Sequence, residues 1–296
     1  QDRILEIPIS KAFSVNNQYL NDQILSIDNL KVNVFWTTNP SLVSNLKIIN
    51  TPTTLENIKD SKIQIFIPKN QSGNAVISLH KGNVTEPVYW SWHLWVSNTT
   101  PSSVTYTTED VLLPNENYVN WTNSGVPPLT TEFMDRNLGA LDALPSIAGT
   151  NPENDVNMMT QIKNSGGVQY QWGRKDPIPV FRSPGYNGSS ATASAAENIP
   201  IYRNAAGPDN AGNLPSALYT TLISNEANYT TSIYVKTYSN IASTNTNKNI
   251  RIIENLKYAT NNPLTFIYQD NNSANYGNDW LLNEPNAMPE RWGHAM

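Results

Sequence analysis

The sequence predicts a mainly β protein with two parts: an N-terminal antiparallel β-sandwich, then a mixed α+β, loop-rich C-terminal domain. In the first hundred residues, apolar and polar residues alternate within short segments, as in strands with one face in a core. Turn-forming sequences such as "TTNPS", "KNQSGN" and "HKGN" separate these segments. Beyond them the regular spacing disappears. We therefore expect a β-sandwich domain at residues 1–100 and a second domain at residues 101–296.

The strands of the predicted sandwich follow one another along the chain. The opening residues supply the first, and further segments with strand character are "LKVNVFW" (30–36), "NLKII" (45–49), "KIQIFIP" (62–68), "NAVISLH" (74–80) and "VYWSWHLWV" (88–96). In the segment 30–36, alternation places Val32, Val34 and Trp36 on one face. About six strands at this spacing are typical of an antiparallel sandwich.

The segment "VYWSWHLWV" is the most aromatic in the chain and the last strand of the predicted sandwich. Period-two alternation places Val88, Trp90 and Trp92 on one face, and His93 and Trp95 on the other. Tryptophan brings a large apolar area into a core, so Trp90 and Trp92 are predicted to be buried structural residues. His93 and Trp95 are expected near the junction with the second domain.

The second domain is predicted to begin within the polar segment 97–110, which contains few large apolar residues. Its expected elements are a short strand with a glycine turn at 132–140, a helix at 151–167 capped by Asp155 or Asn154, a strand at 168–181, and a strand or short helix followed by a strand at 249–268. Residues 183–216 are polar and give no clear element. The terminal "NDWLLNEPNAMPERWGHAM" ends without a stop signal, so we expect the chain to be a fragment.

Composition narrows the class of protein. Asn accounts for 42 of the 296 residues, whereas Asp, Glu, Lys and Arg together make up 15%. The net charge of −5 and the lack of a basic cluster argue against nucleic-acid binding. No apolar stretch approaches the roughly 20 residues of a membrane-spanning helix. Cysteine is absent, which excludes disulfides and thiolate chemistry within this segment. The Asn-, Thr- and Tyr-rich surface favours an exported bacterial protein.

Catalytic motifs are absent from the sequence. The three histidines, His80, His93 and His294, belong to no HExxH pattern, and neither a GxSxG elbow nor a nucleotide-binding glycine pattern occurs. We therefore expect a non-enzymatic protein. The arginines of "DRN" (135–137) and "GRKD" (173–176) are expected to pair with carboxylates or to bind backbone carbonyls.

Aromatic side chains of the second domain are candidates for stacking on sugar rings. The set comprises Tyr170, Trp172, Tyr186 and Tyr202. The alternation in "VQYQWG" also allows Tyr170 and Trp172 to be inward-facing core residues, so both interpretations stay open.

Several segments together resemble a group of exported Bacteroidales proteins that includes accessory and tip subunits of Porphyromonas and Bacteroides fimbriae. They are "NAVISLHKGNVTEPVYWSWHLWVSN", "EFMDRNLGAL", "GGVQYQWGRKDPIPV" and "NDWLLNEPNAMPERWG". The resemblance covers most of residues 74–181 and the last twenty residues. It implies a C-terminal module similar to the Fibrobacter major paralogous domain and to C-type-lectin-like folds, and because the sequence stops before a "GWRVP"-type stretch, we expect this module to be either truncated or completed elsewhere.

The resemblance to C-type lectins also suggests a calcium site. In mannose-type lectins a Glu-Pro-Asn tripeptide supplies oxygen ligands to Ca²⁺, and "EPN" occurs here at 284–286. The candidate ligands are Asp279, Glu284 and Asn286. This chain departs from the lectin pattern because "NDW" precedes the tripeptide rather than following it. No other cofactor is expected.

The resemblance implies a non-enzymatic cell-surface adhesin, an accessory or tip subunit of a fimbria attached to the outer membrane. Its expected partners are other fimbrial subunits and a host matrix protein or glycan. The alternative is a glycan-binding or glycan-degrading protein of the outer membrane. Hydrolysis would require two carboxylates that face each other across a cleft. Asp135, Glu254, Asp270 and Glu284 are the candidates, and the sequence does not place them relative to one another.

Overall fold

The computed structural model describes residues 1–20, 25–82, 87–107, 130–143, 156–171, 174–178, 235–237, 248–264 and 266–268. The chain divides into two compact units. The first unit comprises residues 1–96 and 168–296, and the second unit comprises residues 97–167. This division differs from the predicted domains 1–100 and 101–296, because residues 168–296 group with the sandwich.

The N-terminal part of the first unit is a sandwich of two three-stranded antiparallel sheets. Its strands are β1 (Arg3–Pro8), β2 (Leu30–Thr37), β3 (Asn45–Ile49), β4 (Lys62–Ile67), β5 (Gly73–Lys81) and β6 (Val88–Val96). One sheet has the order β1-β4-β3 and the other has the order β2-β5-β6. The structure thus confirms the predicted mainly β class and the antiparallel sandwich.

Alternating apolar side chains from the two sheets form the core of the sandwich. Ile63, Ile65 and Ile67 of β4 meet Ile77 and Leu79 of β5 there. This arrangement follows from period-two alternation, which directs every second side chain to one face. Helix α1 (Ser10–Tyr19), which the sequence analysis did not predict, adds further apolar side chains to the same core.

A β-bulge in β2 changes which face Trp36 occupies. Val34 lies opposite Ile77, but the next pair is Trp36 with Val76, so Phe35 is the extra residue. Trp36 therefore lies on the face of the sheet opposite to the sandwich core, where it is fully buried. The prediction that Val32, Val34 and Trp36 share one face is wrong for Trp36.

A second bulge has the same effect in β6. Trp90 lies opposite Leu79, whereas Val88 lies opposite His80, so Tyr89 is the extra residue. Trp90 and Trp92 face the sandwich core as predicted, but they are only partly buried and pack at its margin. Val88 lies on the opposite face, contrary to the simple alternation.

The second unit contains two paired strands and a helix among its described residues. Strand β7 (Ser103–Thr107) pairs antiparallel with β8 (Thr130–Met134), and helix α2 spans Val156–Ser165. The helix agrees with the one predicted at 151–167, although its expected caps, Asn154 and Asp155, lie outside the described residues. The polar segment 97–110, expected to be a boundary, contains a strand.

The remaining elements belong to the first unit. Short strands β9 (Gln169–Tyr170) and β10 (Pro177–Ile178) pair antiparallel, and β11 (Val235–Thr237) pairs parallel with β12 (Phe266–Tyr268). Helix α3 spans Lys248–Asn261, which settles the predicted strand or short helix as a helix. A 3-10 helix at Glu56–Asp60 precedes β4. Within the described part of the chain, no helix is long and apolar enough to cross a membrane.

Candidate functional site

The outer face of the β2-β5-β6 sheet is contacted by later segments of the first unit. Helix α3 and residues 168–171 and 174–178 lie against β6, and Leu264 and Val168 pack with Trp36, Val76 and Val88 in a second apolar cluster. Beside this cluster the face carries buried polar side chains, namely Asn33, Asn74, Ser78, His80 and Ser91. Buried polar groups require hydrogen-bond partners, so the segments that pack on this face have to supply complementary donors and acceptors.

Ser91 is the anchor of the best-connected polar cluster. Its hydroxyl donates to Asp176 Oδ1 at 2.6 Å and accepts a hydrogen bond from the Lys175 ammonium. Lys175 Nζ also lies 2.7 Å from Asp176 Oδ2. Ser91 and Asp176 are 3% and 1% exposed, so the carboxylate is almost completely removed from water. We refer to Ser91, Lys175 and Asp176 as the Ser-Lys-Asp cluster.

Lys175 reaches around the outer edge of β6. Its ammonium donates to the backbone carbonyl of Ser91 at 3.3 Å and lies 4.4 Å from the centre of the Trp90 ring. A cation over an aromatic face is attracted by the ring quadrupole. Burial lowers the pKa of Lys175, while the carboxylate of Asp176 opposes that shift. The adjacent carboxylate and the 26% exposure of the side chain both favour the protonated amine.

Arg174 binds the end of helix α3. Its guanidinium donates to the backbone carbonyls of Ala259, Asn262 and Pro263 at 3.2–3.3 Å. The last carbonyls of a helix lack intrahelical partners and carry partial negative charge, so a cation stabilises them. Burial lowers the pKa of Arg174 to about 10, and the guanidinium is therefore still charged at neutral pH. This contact matches the carbonyl-binding role expected for the "GRKD" arginine.

His93 is held between two polar side chains on the same outer face. One ring nitrogen, Nε2, lies 2.9 Å from Asn74 Oδ1, and the other, Nδ1, lies 2.7 Å from the hydroxyl of Tyr170. Burial lowers the pKa of His93 to about 4, partly offset by the charge of Asp176. The histidine is thus neutral near pH 7, and the tautomer that fits donates from Nε2 to Asn74 and accepts from Tyr170 at Nδ1.

Tyr170 is the one sugar-stacking candidate among the described residues. Burial raises its pKa to about 12, so its hydroxyl stays protonated and can donate to His93. Its ring meets the His93 ring edge to face, with the centroids 6.1 Å apart. The other three candidates, Trp172, Tyr186 and Tyr202, lie outside the described residues.

The candidate metal ligands and carboxylates are only partly described. Asp279, Glu284, Asn286 and Asp270 lie outside the described residues, and the calcium site stays a prediction. Glu254 lies on α3 in the first unit, and Asp135 belongs to the second unit. No three His, Cys, Asp or Glu side chains cluster as a metal-binding group in the ranges that the structure describes.

Asp135 and Arg136 form an ion pair in the second unit. Arg136 Nε lies 2.7 Å from Asp135 Oδ1, and Nη2 lies 2.9 Å from Oδ2, which is a bidentate contact. Hydrogen bonds from Arg136 and Ser102 hold the pKa of Asp135 well below its usual range. Arg136 also donates to Thr99, so the "DRN" arginine pairs as the sequence indicated.

The Ser-Lys-Asp cluster contains the groups of a nucleophilic serine site, but its geometry favours a structural role. A lysine acts as a base only when neutral, whereas Lys175 is ion-paired with Asp176. The buried Ser91 hydroxyl is occupied by both partners and offers no approach to a substrate carbonyl. The cluster therefore ties residues 174–176 to β6.

The sequence did not predict the Ser-Lys-Asp cluster, although the segments that contain its residues, 88–96 and 173–176, were each singled out separately. Ser91 and Asp176 are 85 residues apart, and nothing in the sequence pairs them. The available signal was the run of three charged residues, Arg174 to Asp176, directly after an aromatic strand. Such a run beside apolar residues indicates charges that need partners inside the fold.

Comparisons with protein-family models, with curated proteins and with solved structures found no match for this chain. The family resemblance therefore stays a prediction, and the function has to be argued from the residues themselves.

Proposed function

We propose that the protein is a non-enzymatic cell-surface adhesin, an accessory or tip subunit of a bacterial fimbria. The observation that carries this proposal is an antiparallel sandwich whose first strand, β1, has an unpaired outer edge among the described strands. An edge strand offers a row of backbone donors and acceptors to an extended segment of another chain. Subunits of a polymer can join by adding such a strand.

The side chains of β1 fit an edge that receives another chain. Ile4 and Leu5 are 59% and 39% exposed, although both are large and apolar. Ile4 lies opposite Phe66 on the face away from the core, while Leu5 lies opposite Ile65 on the core side. Proteins commonly protect exposed edges with charged residues or proline. In β1 such residues stand at Arg3, Glu6 and Pro8, so the apolar edge available for strand pairing is confined to Ile4 and Leu5 between them.

The second unit supports contact with a partner. Five of the eight large apolar residues that are exposed in the described part of the chain belong to it, and they are Val104, Tyr106, Phe133, Met134 and Leu138. Val104 and Phe133 lie directly opposite each other, and the ring of Tyr106 packs edge to face on that of Phe133, with the ring centroids 5.8 Å apart. Exposed apolar patches of this kind are typical of interaction surfaces.

The Ser-Lys-Asp cluster is not assigned a catalytic role in this proposal. Its hydroxyl, amine and carboxylate are paired with one another and largely closed to solvent, whereas a catalytic constellation needs space for the reacting atoms.

The proposal is tested first by deleting the gene. We expect fimbrial shafts to remain while binding to host matrix or to other bacteria weakens. Unchanged binding would reject the adhesin function. A panel of glycans and chromogenic glycosides distinguishes the alternative, because turnover of any glycoside would favour a glycan-degrading protein.

The edge of β1 is tested by Ile4→Lys, which adds a charge to the exposed strand without touching the core. We expect the purified variant to keep its melting temperature while its incorporation into fimbriae falls several-fold. The matched control is Leu55→Lys, because Leu55 is 45% exposed and lies before the 3-10 helix, outside every strand. Equal incorporation of both variants would show that β1 is not the assembly edge.

A further inference from the structure

We propose that residues 97–167 form an inserted module that folds separately, and that the first unit closes across the base of this insertion by its own contacts. The first unit is interrupted in sequence, since β6 ends at Val96 and the chain returns to this unit at Val168. Two sets of contacts, one within each unit, bring the two ends of the insertion together.

Within the first unit, residues next to the two ends are joined directly. His93 lies three positions before the end of β6, and Tyr170 lies two positions after Val168. The Tyr170 hydroxyl is 2.7 Å from His93 Nδ1. The Ser-Lys-Asp cluster adds a second attachment two residues before His93, through the 2.6 Å bond between Ser91 and Asp176. We call these two attachments the clasp.

Within the second unit, the two ends converge on one residue. The backbone N–H of Asn98 donates to the carbonyl of Leu141 at 3.3 Å, and the N–H of Leu141 donates to the carbonyl of Asn164 at 2.7 Å. Leu141 therefore connects the second residue of the unit with a residue close to its end. Arg136 reinforces this point by donating to the carbonyls of Leu141 and Thr99, both at 3.3 Å.

The exit from the second unit is shaped by Gly167. Its φ is +73°, a backbone conformation that side chains other than that of glycine rarely accept. A Cβ at this position would lie 2.4 Å from the carbonyl oxygen of Leu138, far inside van der Waals contact. The turn at Gly167 is therefore built against the second unit's own backbone.

Each of these contacts joins residues of the same unit. Insertions of whole domains succeed where their two ends are close together and where few contacts need to cross. The 71 residues from 97 to 167 also exceed the length at which small domains begin to fold alone, which is about 55–65 residues. The inference concerns folding and does not rest on the adhesin proposal.

The test uses the full chain and one substitution in each unit, followed by amide hydrogen exchange. Ile77→Ala weakens the sandwich core, and Arg136→Ala removes the ion pair with Asp135 and the side-chain hydrogen bonds to the carbonyls of Leu141 and Thr99. We expect Ile77→Ala to speed exchange in β4 and β5 more than about tenfold while β7, β8 and α2 change less than about twofold, and Arg136→Ala to do the reverse. Faster exchange of β4 and β5 in Arg136→Ala, or of β7, β8 and α2 in Ile77→Ala, would overturn the proposal.

A replacement variant gives an independent outcome. Residues 97–167 are exchanged for eight Gly and Ser residues, which span up to about 26 Å when extended. We expect β4 and β5 of this variant to keep their exchange protection and the Tyr170 hydroxyl to stay bonded to His93, as seen in the His93 ring resonances. Loss of protection throughout the sandwich would show that the first unit depends on residues 97–167.

Discussion

Removing the carboxylate of Asp176 is the sharpest test of the polar contacts that hold residues 174–176 on the sandwich. In Asp176→Ala, the Lys175 ammonium loses its 2.7 Å partner and the Ser91 hydroxyl loses its acceptor. The site that both groups face is closed to solvent, since Asp176 is only 1% exposed there. The variant therefore retains a charge and a hydroxyl that water reaches poorly.

The expected cost follows from this loss of pairing. Breaking a buried ion pair by removing one partner costs roughly 3–5 kcal/mol. Lys175 keeps 26% of its side chain exposed and can turn partly toward water, so we expect about 2–4 kcal/mol. The free energy of unfolding, measured by urea denaturation with tryptophan fluorescence, should fall by this amount, because Trp90 lies beneath the Lys175 ammonium.

Two further variants separate pairing from packing. The double variant Lys175→Met, Asp176→Leu removes both charges and should recover at least half of the loss, since an apolar pair needs no partner. Asp176→Asn keeps the shape and one acceptor oxygen and should lie between. If Asp176→Ala costs less than about 1 kcal/mol, as exposed pairs do, the cluster is a surface contact and our reasoning fails.

Three other substitutions or conditions extend the test. Trp92→Ala should lower the free energy of unfolding by roughly 2–4 kcal/mol in urea denaturation, which is less than the loss expected for a fully buried tryptophan, because Trp92 is only partly buried. A variant that stays folded but loses binding would show that β6 is a partner-binding surface. Gly167→Ala should lower the melting temperature of the second unit in calorimetry, because its Cβ would meet the Leu138 carbonyl at 2.4 Å, while an unchanged transition would contradict that contact. Lowering the pH from 6.5 to 4 should reduce the free energy of unfolding by roughly 2–3 kcal/mol through His93. The pKa of His93 is about 4 in the folded protein and 6.5 in the unfolded chain, so over this range the unfolded chain binds a proton that the folded protein largely does not. His93→Gln should remove that part of the pH dependence, and an identical pH profile for both proteins would exclude His93 as its source.

The strands of the sandwich could be predicted almost to the residue because their signal is local. Ile63, Ile65 and Ile67 alternate strictly, and the turn residues on either side define where β4 begins and ends. Helix α1 was missed for the opposite reason. Its helical character depends on packing Ala12 and Phe13 against the core and on a hydrogen bond from Asn16 to the carbonyl of Tyr89, 73 residues away.

The faces of the strands were less predictable than their positions. Alternation assigns every second residue to one face, but a single bulge reverses the assignment beyond it. Phe35 and Tyr89 are the bulged residues, and each moved a neighbouring apolar side chain, Trp36 or Val88, to the outer face. Bulges arise from pairing between strands, so the pattern within one strand cannot reveal them.

The stability of the clasp depends on whether the second unit is folded, because an unfolded chain between its two ends raises the entropic cost of closing the clasp. Closing a flexible loop of 71 residues costs about 4 kcal/mol in the logarithmic term alone, which is comparable to the polar contacts that join Tyr170 and Asp176 to β6. If the second unit is folded, with Asn98 and Asn164 both bonded to Leu141, most of that loop is already closed. Unfolding the second unit with Arg136→Ala should therefore loosen the Tyr170 contact while β4 and β5 stay protected. A clasp that keeps its full protection in this variant would mean that its contacts are stronger than these hydrogen bonds and this ion pair can supply.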